Sequence, residues 1–169
     1  ENATWEYANG VLTISGQGAL SVKEDDSYRY PISSTAGMWS SSSGTPWKSI
    51  KNQVKKVVIK SGITSISETA FKYLPNLKEV EIENGVVSIG KEAFACCDNL
   101  EKVIIPDSVT SVGRYAFYRC RNLRKLVLGN RLLYMGGGAL TGCHLDEVEI
   151  YLQDGKKSCL KSIVEEMRY

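Results

Sequence analysis

The sequence predicts an α/β solenoid, a right-handed coil of 23-residue repeats with a parallel β-sheet, a β-hairpin before it and a helix after it. Three observations lead there. The pair Ala-Phe recurs at Ala70-Phe71, Ala93-Phe94 and Ala116-Phe117, with Ala139-Leu140 as a variant, always 23 residues on. Apolar columns keep the same step: Val54, Leu77, Leu100, Leu123; Val57, Val80, Val103, Leu126; Ile59, Ile82, Ile105, Leu128; Ile63, Val86, Val109, Leu132; Ile66, Ile89, Val112, Met135. Ahead of the repeats, Trp5, Tyr7, Leu12 and Ile14 alternate around Asn9-Gly10, a two-residue hairpin signal.

The size and balance of the chain agree. With 169 residues, 43% hydrophobic and 24% charged, it can bury the core of one domain, 1–169, without staples. A net charge of +2 gives no reason to expect nucleic acid or an anionic membrane as partner. No apolar run reaches the ~18 residues of a membrane helix.

Each repeat reads as strand, turn, a step with inward side chains at Val86 and Ile89, and helical turn. In Leu77-x-x-Val80-x-Ile82 the period-2 alternation turns Val80 and Ile82 inward. Glu83-Asn84-Gly85 breaks the strand. Gly90 to Phe94 reads as a short helical turn, with Gly or Ser as N-cap and Glu68 or Glu92 in its first turn. One repeat cannot bury its apolar edge alone, whereas stacked repeats share a continuous core.

The blocks LEKVIIPDSVTSVGRYAFYRC and LKEVEIENGVVSIGKEAFACC resemble the BspA-like leucine-rich repeat of bacterial surface proteins, L-x-x-V-x-I-P-x-x-V-x-S-I-G-x-x-A-F-x-x-C. The resemblance covers residues 54–150 and extends to a leader that includes Trp5-Glu6-Tyr7, Gly10 to Ala19 and Pro46-Trp47. It implies a leucine-rich-repeat solenoid, an extracellular or cell-surface location with a signal peptide removed ahead of Glu1, and a role in adhesion. The implied partners are proteins or glycans, host matrix and other bacterial surfaces included. The buried Asn ladder of ordinary leucine-rich repeats is absent, its positions being Gly62, Gly85, Ser108 and Arg131. The fourth block departs from the pattern at Tyr134-Met135-Gly136-Gly137-Gly138.

The predicted organisation is an N-terminal cap over 1–53 with a loop insertion at 23–45, repeats over 54–150 and a capping helix over 151–169. Thr45-Pro46 reads as N-cap and first residue of a short helix leading to Val54. The C-terminal helix puts Cys159, Leu160, Ile163, Val164 and Met167 on one stripe. The insertion is polar, with three aromatics, Tyr28, Tyr30 and Trp39. These either pack on the cap or offer a stacking platform to a sugar or a protein.

Residues for chemistry are sparse. His144 is the single histidine and has no nucleophile motif beside it. No phosphate loop, H-E-x-x-H or dinucleotide fingerprint occurs. Cys97, Cys120 and Cys143 share the column of Leu74, so they read as small hydrophobes in a core; no C-x-x-C pair suggests zinc. We therefore expect no enzyme, no cofactor and no metal.

The binding surface expected is the outward face of the strands. One column there holds Lys56, Glu79, Lys102, Lys125 and Glu147, so that Lys56–Glu79–Lys102 and Lys125–Glu147 alternate in charge across strands. The next holds Val58, Glu81, Ile104, Val127 and Glu149, with Val58, Ile104 and Val127 expected to face solvent as a modest apolar patch.

Overall fold

The computed structural model describes residues 3–20, 47–144 and 149–152, the last four as backbone only. The insertion with Tyr28, Tyr30 and Trp39, the cap pair Thr45-Pro46, Glu147, and the helix expected beyond Leu152 lie outside the described residues.

Among the described residues twelve strands follow in chain order: β1 (Thr4–Ala8), β2 (Val11–Ser15), β3 (Gly18–Ala19), β4 (Lys56–Ile59), β5 (Ile63–Ile66), β6 (Glu79–Ile82), β7 (Ser88–Ile89), β8 (Lys102–Ile104), β9 (Ser111–Val112), β10 (Lys125–Leu128), β11 (Tyr134–Met135) and β12 (Glu149–Leu152). They form two sheets, β1-β2-β4-β6-β8-β10-β12 and β11-β9-β7-β5-β3. Apart from the antiparallel hairpin β1–β2, all pairs are parallel. Asn9 and Gly10, both at positive φ, make the hairpin turn that their sequence announces.

The five inward columns are where the period puts them. Val57, Val80, Val103 and Leu126 are fully buried, as are Val54, Leu77, Leu100 and Leu123. In the fourth turn Leu132 and Met135 are half-buried, at the end of the core cluster. Through the middle runs a stack of rings. Trp47, Phe71, Phe94 and Phe117 follow one another at 5.2, 5.2 and 5.6 Å, within 13° of parallel. Trp5 meets Trp47 edge-on at 6.5 Å and so ties the hairpin to this stack.

The second sheet was not foreseen as a sheet. The short pair Ser88–Ile89 hydrogen-bonds to its equivalents one turn away, as in Ser88 with Ser65 and Ser111. Two-residue strands leave no alternation to read in the sequence.

The third side corrects the expected helical turns. No α-helix occurs among the described residues, and the solenoid there is all-β with turns rather than α/β. The segments around Ala-Phe are chains of β-turns, with bonds such as Ala93 N–H to Gly90 O and Ala95 N–H to Glu92 O. Thr69, Tyr73, Glu92, Cys96, Tyr115 and Arg119 all sit at positive φ, and Gly138 and Gly142 take the equivalent places in the fourth turn. Two left-handed residues four apart break a helix each time it would start. They leave alternate N–H groups pointing at the next turn: Thr69 to Lys91 O, Phe71 to Ala93 O and Tyr73 to Ala95 O, then Glu92, Phe94 and Cys96 onward in the same way. Backbone bonds between turns thus replace the bonds of a helix. Glu92 is no helix-dipole partner; it receives Lys72 Nζ at 2.5 Å.

Ahead of the repeats, the short helix is a single 3-10 turn, Lys48–Ile50, which begins after Trp47. At the far end, Lys125 pairs in register with Glu149 and Val127 with Tyr151. The expected pairing of Lys125 with Glu147 is therefore shifted by two residues. A two-residue shift leaves each residue on its own side of the pleat, so alternation in the sequence fits either register. β12 also runs to Leu152, two residues past the expected end of the repeats.

Candidate functional site

The strand face of the long sheet carries the residues singled out for binding. In-register pairing brings Lys56, Glu79, Lys102 and Lys125 side by side, and next to them Val58, Glu81, Ile104 and Val127. Glu79 is the hub of the first column, 3.0 Å from Lys102 and 3.7 Å from Lys56, while Lys56 also reaches diagonally to Glu81 at 2.7 Å. Burial works against the Glu79 carboxylate, but the hydrogen bond and charge of Lys102, joined by Lys56, hold its pKa below the ordinary value. The hydrogen bond that Lys56 donates to Glu81 raises the pKa of Lys56. These pairs are partly exposed, so each contributes about 0–1 kcal/mol; they serve register more than stability.

Val58 is not part of an exposed patch. It stands between Thr13 and Glu81 in the register, beside the Lys56–Glu81 pair, and only 7% of it is exposed. The expectation that it faces solvent is corrected by this cover. Ile104 and Val127 are half-buried and adjacent, and the next register position belongs to Tyr151. Tyr151 was missed because the two-residue shift put Glu149 in its place. Glu149 instead continues the charged column after Lys125.

A second feature has no counterpart among the expected sites. A lateral groove of about 370 Å³ runs between the turn side and the long sheet, lined by Lys51, Tyr73, Pro75, Cys96, Asp98, Arg119 and Arg121. Tyr73, Cys96 and Arg119 are one column, and Pro75, Asp98 and Arg121 another, each 23 residues apart. Only the period could have flagged it, since no local motif does.

The cysteine column behaves as packing. Cys97 and Cys120 are buried and Cys143 half-buried, all as free thiols. Each Sγ donates to a carbonyl of the preceding turn, Cys97 to Phe71 O at 3.2 Å, Cys120 to Phe94 O at 3.3 Å and Cys143 to Phe117 O at 3.2 Å. Burial pushes the thiol pKa values up, to about 12 for Cys97 and Cys143, and well above the usual range for Cys120. Such thiols are poor nucleophiles and poor metal ligands. His144 is exposed, with Nδ1 against the Arg121 carbonyl of the preceding turn. Among the described residues no three His, Cys, Asp or Glu side chains gather as a metal site.

Stacked 23-residue turns, a parallel strand face and a predominantly apolar interior define this fold as a leucine-rich-repeat solenoid. Residues 49–161 match the BspA type leucine-rich repeat region in six copies, and the chain belongs to that family. Its solved structural relatives are bacterial. A leucine-rich repeat protein from Eubacterium ventriosum ATCC 27560 is 24% identical with a TM-score of 0.54, over 90% of this chain and 42% of that one. The leucine-rich repeat protein of T. pallidum is 20% identical with a TM-score of 0.58, over 88% of this chain and 67% of that one. This chain thus spans less than half the length of the first of these. None of the curated proteins matches it.

Proposed function

We propose that the chain is a non-catalytic binding module of a secreted or cell-surface bacterial protein, and that its strand face docks a protein or glycan partner in adhesion. One observation carries this reading. Beside a charge network that neutralises itself, the adjacent side chains Ile104 and Val127 keep apolar surface open to solvent on a regular, rigid face. Regular concave or flat faces of this kind are how repeat proteins recognise partners. The membership in the BspA type family supports the surface location and the adhesive role. No helix among the described residues is long and apolar enough to cross a membrane.

The self-pairing of Lys56, Glu79 and Lys102 favours a second reading, a spacer segment with no ligand of its own. One experiment separates the two. The double variant Ile104→Glu with Val127→Glu is compared with the parent on an array of matrix proteins and glycans, with circular dichroism confirming the fold. Loss of a bound partner in the folded variant supports the strand face. No binding by the parent to any array member supports the spacer, and unchanged binding in the variant excludes this face.

A further inference from the structure

We infer that the lateral groove is a second, separate site, one that takes an acidic oligosaccharide carrying carboxylates or sulfates on its rings. The groove crosses four successive turns, from Lys51 through Tyr73 and Cys96 to Arg119 and Arg121. At ~4.8 Å per turn that is a channel roughly 14 Å long, parallel to the solenoid axis. Three cations and one carboxylate, Asp98, line it. Among the described residues Arg119 has no carboxylate partner, and Arg121 meets Asp98 only at 4.0 Å. Arg119 lies over the ring of Tyr118 at 5.1 Å, a contact that holds its guanidinium in place without consuming its charge. Five of the seven arginines fall between Arg114 and Arg131, and no acid occurs between Asp107 and Asp146. The potential at this end of the groove is therefore positive although the chain as a whole carries only +2.

The ring-bearing character of the ligand follows from what the groove lacks. An extended acidic peptide would gain affinity by adding main-chain hydrogen bonds to an open edge. Here the N–H groups of one lining column are spent between turns: Tyr73 N–H goes to Ala95 O, Cys96 N–H to Tyr118 O and Arg119 N–H to Thr141 O. Along that column contact falls to side chains. They are guanidinium forks, which pair two-pronged with carboxylate or sulfate, and the phenol ring of Tyr73, 45% exposed, which offers a surface to a sugar ring.

The test is calorimetric titration of the full chain with a heparin-derived hexasaccharide. The comparison ligands are the same hexasaccharide desulfated and carboxyl-reduced, a hexaglutamate peptide and a single-stranded DNA hexamer. The parent should bind the acidic sugar and none of the other three at comparable affinity. Arg119→Gln with Arg121→Gln should weaken it roughly tenfold or more, as befits loss of charge-assisted hydrogen bonds. Tyr73→Asn, which keeps a residue suited to positive φ, should weaken it too. Lys60→Gln with Lys91→Gln removes the same charge elsewhere and should leave affinity nearly unchanged. Asp98→Asn should tighten binding several-fold, an outcome that misfolding cannot imitate. Absence of binding, equal binding of the peptide or the DNA, indifference to the arginine pair, or loss in a folded strand-face variant (Ile104→Thr with Val127→Thr) would each overturn the assignment.

Discussion

The rings of Phe94 and Phe117 lie 5.6 Å apart with planes 3° from parallel. They occupy equivalent places one turn apart, and both are wholly buried. The contact is repeated back to Phe71 and Trp47, so one column of rings connects the hairpin end to the third turn. In a solenoid each turn touches only its neighbours, and such a column carries much of the coupling between them.

Phe94→Ala should therefore cost about 3–5 kcal/mol, the range for an aromatic ring removed from a core that cannot collapse onto the space. Guanidinium unfolding followed by circular dichroism reads it. A loss under about 1 kcal/mol would mean that the stack contributes little to holding the turns together.

The buried thiols set an alkaline limit. An unfolded cysteine ionises near 9.0, whereas Cys97 and Cys143 in the fold ionise only near 12. The folded pKa being raised, the stabilisation is complete below pH 9.0 and is lost as the pH climbs toward 12. The melting temperature should fall across that window, and Cys97→Ala should flatten the fall. Thiol titration in denaturant without reductant should return all five cysteines; three or fewer would reveal bridges.

On the acid side the sign reverses. The folded pKa of Glu79 lies below the ordinary 4.5, so its ion pairs stabilise above that pH and fade as the pH falls through the lowered value. Glu79→Gln should remove part of the acid slope and lower stability slightly at neutral pH. Added salt should shrink the difference, because the pairs are partly exposed. A pH-independent difference between the two proteins would contradict the network.

Gly138 and Gly142 stand at φ +71 and +80 in the places held by Tyr115 and Arg119 one turn earlier. Gly142→Ala should cost about 1–2 kcal/mol from backbone strain. Gly138→Ala should cost more, since its new Cβ would fall 2.2 Å from the Tyr115 ring. In the opposite direction, Arg119→Gly should be neutral or mildly stabilising by urea melts, its left-handed strain relieved against the entropy that glycine adds to the unfolded chain. An equal cost for both glycine variants would show that the ring contact is unimportant.

The stacking itself was legible without coordinates. A strict 23-residue period names the residues of each column, and columns that are apolar in every turn point inward, so the core, the cysteine column and the Lys56–Glu79–Lys102 ladder all followed from the sequence. Asn9-Gly10 was enough for the hairpin, because few residue pairs accept its turn. The backbone path of the third side was not legible. Thr69, Glu92 and Tyr115 are ordinary residues held at positive φ by bonds to the next turn, and only Gly138 and Gly142 carry a local sign of it. The pairing of β12 was undecided for the same kind of reason, since a shift of two preserves alternation and only the fit of the whole turn selects Glu149 opposite Lys125. Whether an outward residue is truly open is likewise a tertiary matter: Val58 and Val127 share a column, yet Val58 is covered by its neighbours and Val127 is half open. Periodicity determines which residues are neighbours. How the chain turns between them, and what covers each one, depends on hydrogen bonds and contacts made across turns, which no single repeat contains.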